Sequence, residues 1–224
     1  MKAKILSSTE NLSEKEWLKL RDQGLGGSDA AAVCGLSRWK SPMQLWLEKK
    51  SLNQPKKPGE AAYWGKQLEP IIREEFKLRT GLVVQPAKKV LQHPDYSFIL
   101  ANIDGVLMDP DYGQGIFEAK TTGQHYKKEW QKGIPEEYML QIQHYLSVTG
   151  YTFCYVAVLI GGNHFKYKLI FRDEEIICLL VELESRFWEA VKSNRPPEIE
   201  GLSLEIFLLQ KLLKGGKLNG QNKR

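Results

Sequence analysis

Two carboxylates and a lysine lie close together in the middle of the chain, in short segments that both have a β-strand pattern. Asp104 belongs to the segment ANIDG, and Glu118 and Lys120 belong to FEAKT. Because successive side chains of a strand point to opposite faces, Glu118 and Lys120 are predicted to share one face. The apolar neighbours Ile116 and Phe117 indicate that this strand is internal, where an unpaired charge is costly.

A divalent metal ion between Asp104 and Glu118 would explain why acids occupy an interior position. Together with the backbone carbonyl of Ala119 they form an oxygen-rich site of the kind that suits Mg²⁺. Such an ion activates a bound water and offsets the charge that develops during phosphodiester hydrolysis, while Lys120 orients the water or stabilises that charge. The alternative is an ordinary surface ion pair on an edge strand, because Glu-x-Lys is a common sequence.

Two predicted helices offer further polar side chains to such a site. In the helix over residues 135–149, Gln141 and Tyr145 are four positions apart and therefore share a face. Gln141 either holds the attacking water or the metal-bound phosphate, or is a half-buried amide. In the helix over residues 60–80, Glu69 either adds a third carboxylate or faces solvent.

The elements that must position these residues follow from the hydrophobic periodicity and the turn residues. Pro70 is predicted to bend or split its helix, and Asp109–Gly113 is predicted to close a hairpin. The order of elements predicts one α/β domain over residues 1–213 with a central mixed sheet, followed by a mobile basic tail over 214–224. Helices are predicted over 13–22, 29–35, 43–50, 60–80, 135–149, 173–192 and 202–213, and strands over 82–84, 97–108, 115–120, 151–160 and 164–171.

Composition limits the classes of function. The net charge of +5 suits a polyanionic partner, although a solvated basic surface explains it equally well. The 3 cysteines are far apart and form no Cys-x-x-Cys pair, which disfavours a disulfide framework and a zinc or iron–sulfur site. The N-terminal segment lacks the apolar run of a signal peptide, and no apolar run is long enough to cross a membrane. These features predict a soluble cytoplasmic protein without a membrane partner.

A series of short segments resembles the YqaJ-type viral recombinase and phage lambda exonuclease family. The segments are GLGGSDAAAVCGLSRWKSP, YWGKQLEP, ANIDGVL, FEAKT and EEYMLQIQHYLSVTG, within roughly residues 14–195. The resemblance implies a restriction-endonuclease-like PD-(D/E)XK core, an α/β fold whose central mixed sheet is flanked by helices. It assigns the catalytic triad to Asp104, Glu118 and Lys120, the Gln-x-x-x-Tyr motif to Gln141 and Tyr145, and the acid of the Gly-x-x-x-Glu-Pro motif to Glu69.

The resemblance also implies a function, namely 5′→3′ degradation of one strand of linear double-stranded DNA with Mg²⁺ or Mn²⁺. It further implies a ring-shaped homotrimer that acts with a single-strand annealing protein in phage-type recombination, inside a bacterial host cell. The family holds the terminal 5′-phosphate with an arginine and a serine, and Arg21 and Ser28 have the matching spacing. A helix N-terminus at Ser28 and a bidentate contact from Arg21 would suit a phosphate. Alternatively, Ser28 caps its helix and Arg21 is solvated.

Other functions remain open at this stage. They are a RecB-like or restriction-type DNA endonuclease, and a non-catalytic DNA-binding protein on a nuclease scaffold. The missing cysteine cluster argues against the iron–sulfur branch, and the retention of every acid and of Lys120 argues against a non-catalytic protein. Trp39 contacts the duplex end or packs in the core. Residues that track the DNA backbone, or form a solvated loop, are Tyr126, Lys127, Lys128, Trp130 and Lys132.

Overall fold

The computed structural model describes residues 3–10, 12–51, 59–197 and 203–215. The described strands are β1 (Lys4–Ser8), β2 (Leu25–Gly26), β3 (Val84–Pro86), β4 (Lys89–Gln92), β5 (Ile99–Ala101), β6 (Gly105–Asp109), β7 (Gly113–Thr122), β8 (Phe153–Ile160) and β9 (His164–Phe171). The described helices are α1 (Glu14–Arg21), α2 (Gly27–Val33), α3 (Pro42–Lys49), α4 (Glu60–Thr80), α5 (Lys127–Lys132), α6 (Glu136–Thr149), α7 (Glu174–Lys192) and α8 (Ser203–Gly215). A turn of 3₁₀-helix over Gln124–Tyr126 precedes α5.

The strands form two mixed sheets, whereas the sequence predicted one. The larger sheet has the order β3-β6-β7-β8-β9, in which only the pair β7–β8 is parallel. The smaller sheet has the order β1-β4-β5-β2, with the pair β2–β5 parallel. The single strand predicted over residues 97–108 was therefore wrong. Its first part is β5 in the smaller sheet, its last part is β6 in the larger one, and Asp104 lies directly before β6.

Two hairpins and one crossover connect strands β6 to β9 of the larger sheet. The predicted turn between β6 and β7 is confirmed, because the carboxylate of Asp109 accepts hydrogen bonds from the backbone N–H groups of Asp111 and Tyr112. Strands β8 and β9 form the second hairpin. The parallel pair β7–β8 needs a crossover connection, which α5 and α6 provide. Strand β7 is thus an interior strand, as predicted.

Alternation along β7 separates two apolar cores on the two faces of the larger sheet. Phe117 packs with Ile72 and Phe76 of α4 on one face. Ile116 belongs to the core on the other face, which includes Ile142 and Leu146 of α6. Glu118 and Lys120 follow Ile116 with a period of two, so they point toward α6. A third cluster joins α2, α3, α7 and α8 to α6.

Two of the helices, α4 and α8, differ from what the sequence predicted. Pro70 was expected to bend or split its helix, and the split does not occur, because helix α4 runs unbroken through Pro70. Proline removes the hydrogen bond to the carbonyl of Lys66, but both residues are exposed, so water can satisfy that carbonyl. Helix α8 includes Lys214 and Gly215, the first residues of the predicted mobile tail, and the rest of that tail lies outside the described residues. Within the described ranges, none of the helices has the length and apolar character that crossing a bilayer requires.

Candidate active site

A hydrogen-bonded cluster joins strand β7 to helix α6. The Nζ of Lys120 lies 2.6 Å from Oε1 of Glu118 and donates to Oε1 of Gln141 at 2.8 Å. The amide nitrogen of Gln141 donates to Oε1 of Glu118 at 3.1 Å and to the hydroxyl of Tyr145 at 3.0 Å. The structure therefore brings together the charged pair of the strand and the polar pair of the helix, whose spacing predicted only that the members of each pair share one face. The alternative of a surface ion pair on an edge strand is wrong, because Glu118 is only 2% exposed.

Asp104 reaches this cluster from its position directly before β6. Its Oδ2 accepts a hydrogen bond from the backbone N–H of Ala119 at 2.8 Å. The ladder between β6 and β7 ends with Gly105 opposite Phe117, so β6 does not extend to Ala119. The carboxylate of Asp104 thus takes the place of a strand partner and is held beside Glu118.

Burial disfavours ionisation of the acids of the site, and the charge of Asp104 adds to this effect on Glu118 and Glu69. Burial first, and the charge of Asp104 second, raise the pKa of Glu118 to about 8. Burial also raises the pKa of Asp104, and burial together with the charge of Asp104 raises the pKa of Glu69. For Lys120 burial acts in the opposite direction, but the charges of Glu118 and Asp104 outweigh it and raise its pKa. The site therefore holds crowded negative charge that one lysine compensates only in part.

One unsatisfied oxygen indicates where a cation would fit. Oε2 of Glu118 is buried and has no hydrogen-bond partner among the described residues, an arrangement that costs free energy unless another ligand is present. The parts of the chain that the structure describes contain no cluster of three or more acidic, histidine or cysteine side chains arranged for a metal. Two carboxylates with the carbonyl of Ala119 still fit Mg²⁺, which binds few protein oxygens and keeps several waters.

All the side chains predicted for the site line one open cavity of about 370 Å³. They are Arg21, Ser28, Glu69, Asp104, Glu118, Lys120, Gln141 and Tyr145. Glu69 is half-buried, so it does not simply face solvent, and it forms an ion pair with Arg73 at 3.3 Å. The cavity is also lined by Trp17, Lys66, Asn102 and Thr121, which the sequence did not single out. Lys66 could have been found, because it lies one helical turn before Glu69.

Arg21 and Ser28 form the end of the cavity beside helix α2. Nη2 of Arg21 donates to Oγ of Ser28 at 3.3 Å, and the guanidinium lies 4.8 Å from the centre of the Trp17 ring. The alternative that Ser28 caps the helix is wrong. Gly26 occupies the N-cap position and Ser28 lies inside the first turn, with an exposed side chain.

The other side chains that the sequence suggested for a functional role differ in how exposed they are. Trp39 is 61% exposed, so it does not pack in the core. Trp130 is buried, which excludes it as a stacking platform, whereas Lys128 and Lys132 are exposed. His144 is fully buried between Glu184 and the carbonyl of Leu100, at 2.7 and 2.8 Å, and is structural.

The sequence of this chain is similar to a known domain family and to a known protein. Residues 16–152 match the model of the YqaJ-like viral recombinase domain. The chain is 42% identical over 215 residues to protein YqaJ of Bacillus subtilis (strain 168), and the match covers 94% of this chain and 66% of that protein. The chain thus spans just under two thirds of the length of this relative.

Solved structures share the fold. The alkaline exonuclease LHK-Exo from Laribacter hongkongensis superposes with a TM-score of 0.65 at 22% identity, over 91% of this chain and 99% of that chain. A phage-related exonuclease from Haemophilus somnus 129PT gives a TM-score of 0.52 at 13% identity, over 88% of this chain and 99% of that chain. The expected α/β fold of the PD-(D/E)XK type is confirmed.

Proposed function

The chain belongs to the YqaJ-like viral recombinase family, and from this membership we propose that it is a Mg²⁺-dependent 5′→3′ exonuclease that degrades one strand of linear double-stranded DNA. The observation that carries the proposal is the buried Oε2 of Glu118 beside Asp104, in the cavity that also holds Lys120. This oxygen has no hydrogen-bond partner in the part of the chain that the structure describes. Further support comes from the alkaline exonuclease LHK-Exo, which shares this fold and whose structure has been solved in complex with dAMP, a nucleoside monophosphate.

The proposed metal site consists of Asp104, Glu118 and the carbonyl of Ala119. When bound there, Mg²⁺ or Mn²⁺ would supply an activated water and neutralise charge on the phosphodiester. An ammonium group has three protons, and the contacts with Glu118 and Gln141 use two of those of Lys120. The third proton is available for the attacking water or for a phosphate oxygen.

Gln141 acts on Lys120 in this proposal rather than on the water itself. Both of its amide protons are donated, to Glu118 and to Tyr145, and its oxygen accepts from Lys120. Tyr145 in turn holds Gln141 from the next turn of α6. The pair therefore fixes the rotamer of the lysine, and Tyr145 contributes to the 5′-phosphate end of the cavity through the ring that packs against Gly27.

The proposed polarity depends on Arg21 and Ser28. Arg21 has five N–H donors, of which the contact with Ser28 uses one, so the guanidinium can still bind a phosphate. Helix α2 has only 7 residues, so its dipole adds little, and the two side chains carry the proposal. A terminal 5′-phosphate held here would place the first phosphodiester bond toward the acids of the same cavity.

Family membership extends the proposal to partners and setting. We propose that the protein acts as a homotrimeric ring, works with a single-strand annealing protein in phage-type recombination, and functions in the cytoplasm of a bacterial host. The exposed Lys128 and Lys132 of α5 follow the active-site strand and suit contact with the DNA backbone.

The proposal is tested by time-resolved digestion of a linear duplex labelled at each end, with and without Mg²⁺ and a 5′-phosphate. We expect Mg²⁺-dependent loss of the 5′ label. Replacing Lys120→Ala should lower the rate by about 100-fold or more, the usual effect of removing a group that stabilises transition-state charge, while DNA binding persists. Lys192→Ala, a surface lysine of α7, is the control and should leave the rate unchanged.

Three outcomes would contradict the proposal. Wild-type rates in Lys120→Ala would exclude the assigned role of the lysine. Cutting of closed circular DNA would favour a RecB-like or restriction-type endonuclease. Binding of DNA ends without any Mg²⁺-dependent cleavage would favour a non-catalytic protein on a nuclease scaffold.

A further inference from the structure

We propose that Asp29 and Lys49, which lie behind the cavity wall, are positioning residues that give the enzyme its preference for 5′-phosphorylated ends by holding Arg21 against Ser28. This inference rests on the proposed function. The sequence suggested no chemical role for either residue. Their side chains are only 2% and 6% exposed, and their charged groups lie 3.0 Å apart.

Lys49 ties the end of α1 to the start of α2. Its ammonium group donates to the backbone carbonyls of Arg21 at 3.0 Å and Gly24 at 2.7 Å, and it lies 3.0 Å from Oδ2 of Asp29. Three protons thus meet three acceptors, so none remains for a ligand. Lys49 therefore does not bind substrate, and its contacts instead fix the backbone from which the side chain of Arg21 projects.

Asp29 completes the link to Ser28. Its Oδ2 also accepts from the backbone N–H of Gly26 at 3.2 Å, and its Oδ1 lies 4.0 Å from Nη2 of Arg21. Ser28 directly precedes Asp29 in the same short helix. One peptide bond therefore links the serine to the residue whose carboxylate orients Arg21. The 3.3 Å contact between Arg21 and Ser28 is therefore set by the buried pair behind it.

The charges of Asp29, Lys49 and Arg21 together also suit the binding of an anion. Burial opposes ionisation of Asp29, but the charges of Lys49 and Arg21 outweigh burial and lower its pKa to about 2. Asp29 is thus ionised at neutral pH and would by itself repel a phosphate. Lys49 compensates this charge, so Arg21 still presents a net positive group to the cavity.

Replacing Asp29→Asn separates positioning from two simpler explanations. If Asp29 only stabilises the fold, the variant loses activity equally on phosphorylated and unphosphorylated ends. If Asp29 acts only through its charge, the variant binds the phosphate more tightly, because a repelling carboxylate is gone. Positioning predicts the opposite: the preference for the phosphate falls although the surroundings of Arg21 become more positive.

The experiment measures kcat/KM of the full chain on linear duplexes with a 5′-phosphate or a 5′-hydroxyl. We expect Arg21→Ala to abolish the preference. Asp29→Asn should reduce kcat/KM on the phosphorylated end by about tenfold, mostly through KM, as expected when one charge-assisted contact weakens. The rate on the hydroxyl end should stay within about twofold, a change smaller than one such contact is worth.

Four further variants separate an effect on the preference from an effect on folding. Lys49→Met leaves a buried carboxylate unpaired and can fail to fold, whereas the double replacement Asp29→Asn with Lys49→Met removes both charges and avoids that cost. The double variant should fold and lack the preference. Lys49→Arg, which keeps the charge and the donors, should retain part of it. Glu184→Gln removes another buried acid, the partner of His144, and should leave the preference intact.

The outcomes distinguish this inference from the proposed function. An unchanged preference in Asp29→Asn and in the double variant overturns the inference, and so does an increased preference or an equal loss on both ends. If the wild type shows no preference and Arg21→Ala changes nothing, the assignment of the phosphate site fails, and this inference fails with it.

Discussion

Replacing Glu118→Gln should make the metal-free protein less sensitive to pH while it abolishes cleavage. The pKa of Glu118 is raised from its ordinary value of 4.5 to about 8, by burial first and by the charge of Asp104 second. Between these two values the unfolded chain has lost the proton and the folded chain keeps it. The free energy of unfolding therefore falls as the pH rises through this window.

The size of this effect follows from the shift. One pKa unit corresponds to about 1.4 kcal/mol of differential interaction. At pH 7, between the two pKa values, the loss is therefore roughly 3 kcal/mol, and above pH 8 it levels off at roughly 5 kcal/mol. Glutamine does not titrate, and its amide oxygen can still accept the hydrogen bonds of Lys120 and Gln141. The variant should thus lack this part of the pH dependence.

The assay is chemical denaturation at several pH values between 5 and 8.5, in chelator and then in Mg²⁺. In chelator the wild type should lose more stability with rising pH than Glu118→Gln, because the variant keeps only the contributions of the other titrating groups. Mg²⁺ should restore the stability of the wild type at pH 8, by about 2.7 kcal/mol when its concentration is 100 times Kd. It should add nothing to the variant. Glu189→Gln, a change to an exposed acid of α7, is the control and should behave like the wild type.

The result that would refute this reasoning is a metal-free wild type whose stability falls no more steeply across the window than that of Glu118→Gln. Burial of Glu118 would then carry no cost, and its buried Oε2 would no longer indicate a cation site. Stabilisation of both proteins by Mg²⁺ to the same extent would place the ion elsewhere.

Two further predictions concern the residues that support the site. A Cβ on Gly27 would lie 2.4 Å from Cε1 of Tyr145, so Gly27→Ala should lower the free energy of unfolding by about 1–3 kcal/mol. A Cβ on Gly26 would meet no atom of the described residues within 4 Å, so Gly26→Ala should cost less than about 1 kcal/mol. Equal thermal shifts in the two variants would contradict this. For His144 burial opposes protonation, but the charge of Glu184 outweighs it and raises the pKa. The protonated pair therefore stabilises the fold at pH 6 and loses this contribution as the pH rises through the folded-state pKa. The difference in stability between wild type and Glu184→Gln should shrink from pH 6 to pH 9, and a constant difference would exclude a titrating pair.

Local patterns predicted the part of the site that lies on single elements. The alternation of FEAKT placed Glu118 and Lys120 on one face, and helical spacing did the same for Gln141 and Tyr145. Both hold in the structure, because side-chain direction within a regular element depends on local periodicity. The short-range turn chemistry of Asp109 was equally sufficient for the hairpin.

Contacts between elements that are distant in sequence could not be predicted from local patterns. Strands β1 and β4 are short and partly exposed, and they pair across more than 80 positions of sequence, so their own residues give little sign of them. The ion pair of Asp29 and Lys49 was missed for a similar reason. An acid in the first turn of one helix and a lysine in the last turn of another are common, and nothing local shows that the two ends meet.

The break between β5 and β6, where a single strand was predicted over residues 97–108, explains why the site is open. Gly105 lies opposite Phe117 in the antiparallel ladder, so an unbroken strand would place Asp104 opposite Glu118 and continue along β7. The chain instead leaves the larger sheet at Asp104, and the carboxylate, not a strand backbone, accepts the N–H of Ala119. Because the chain leaves there, Asp104 stays next to Glu118 while the space beyond it becomes the cavity lined by Ala101 and Asn102. A continuous strand would have kept the two acids together but covered the side of the site that is open to the proposed DNA substrate.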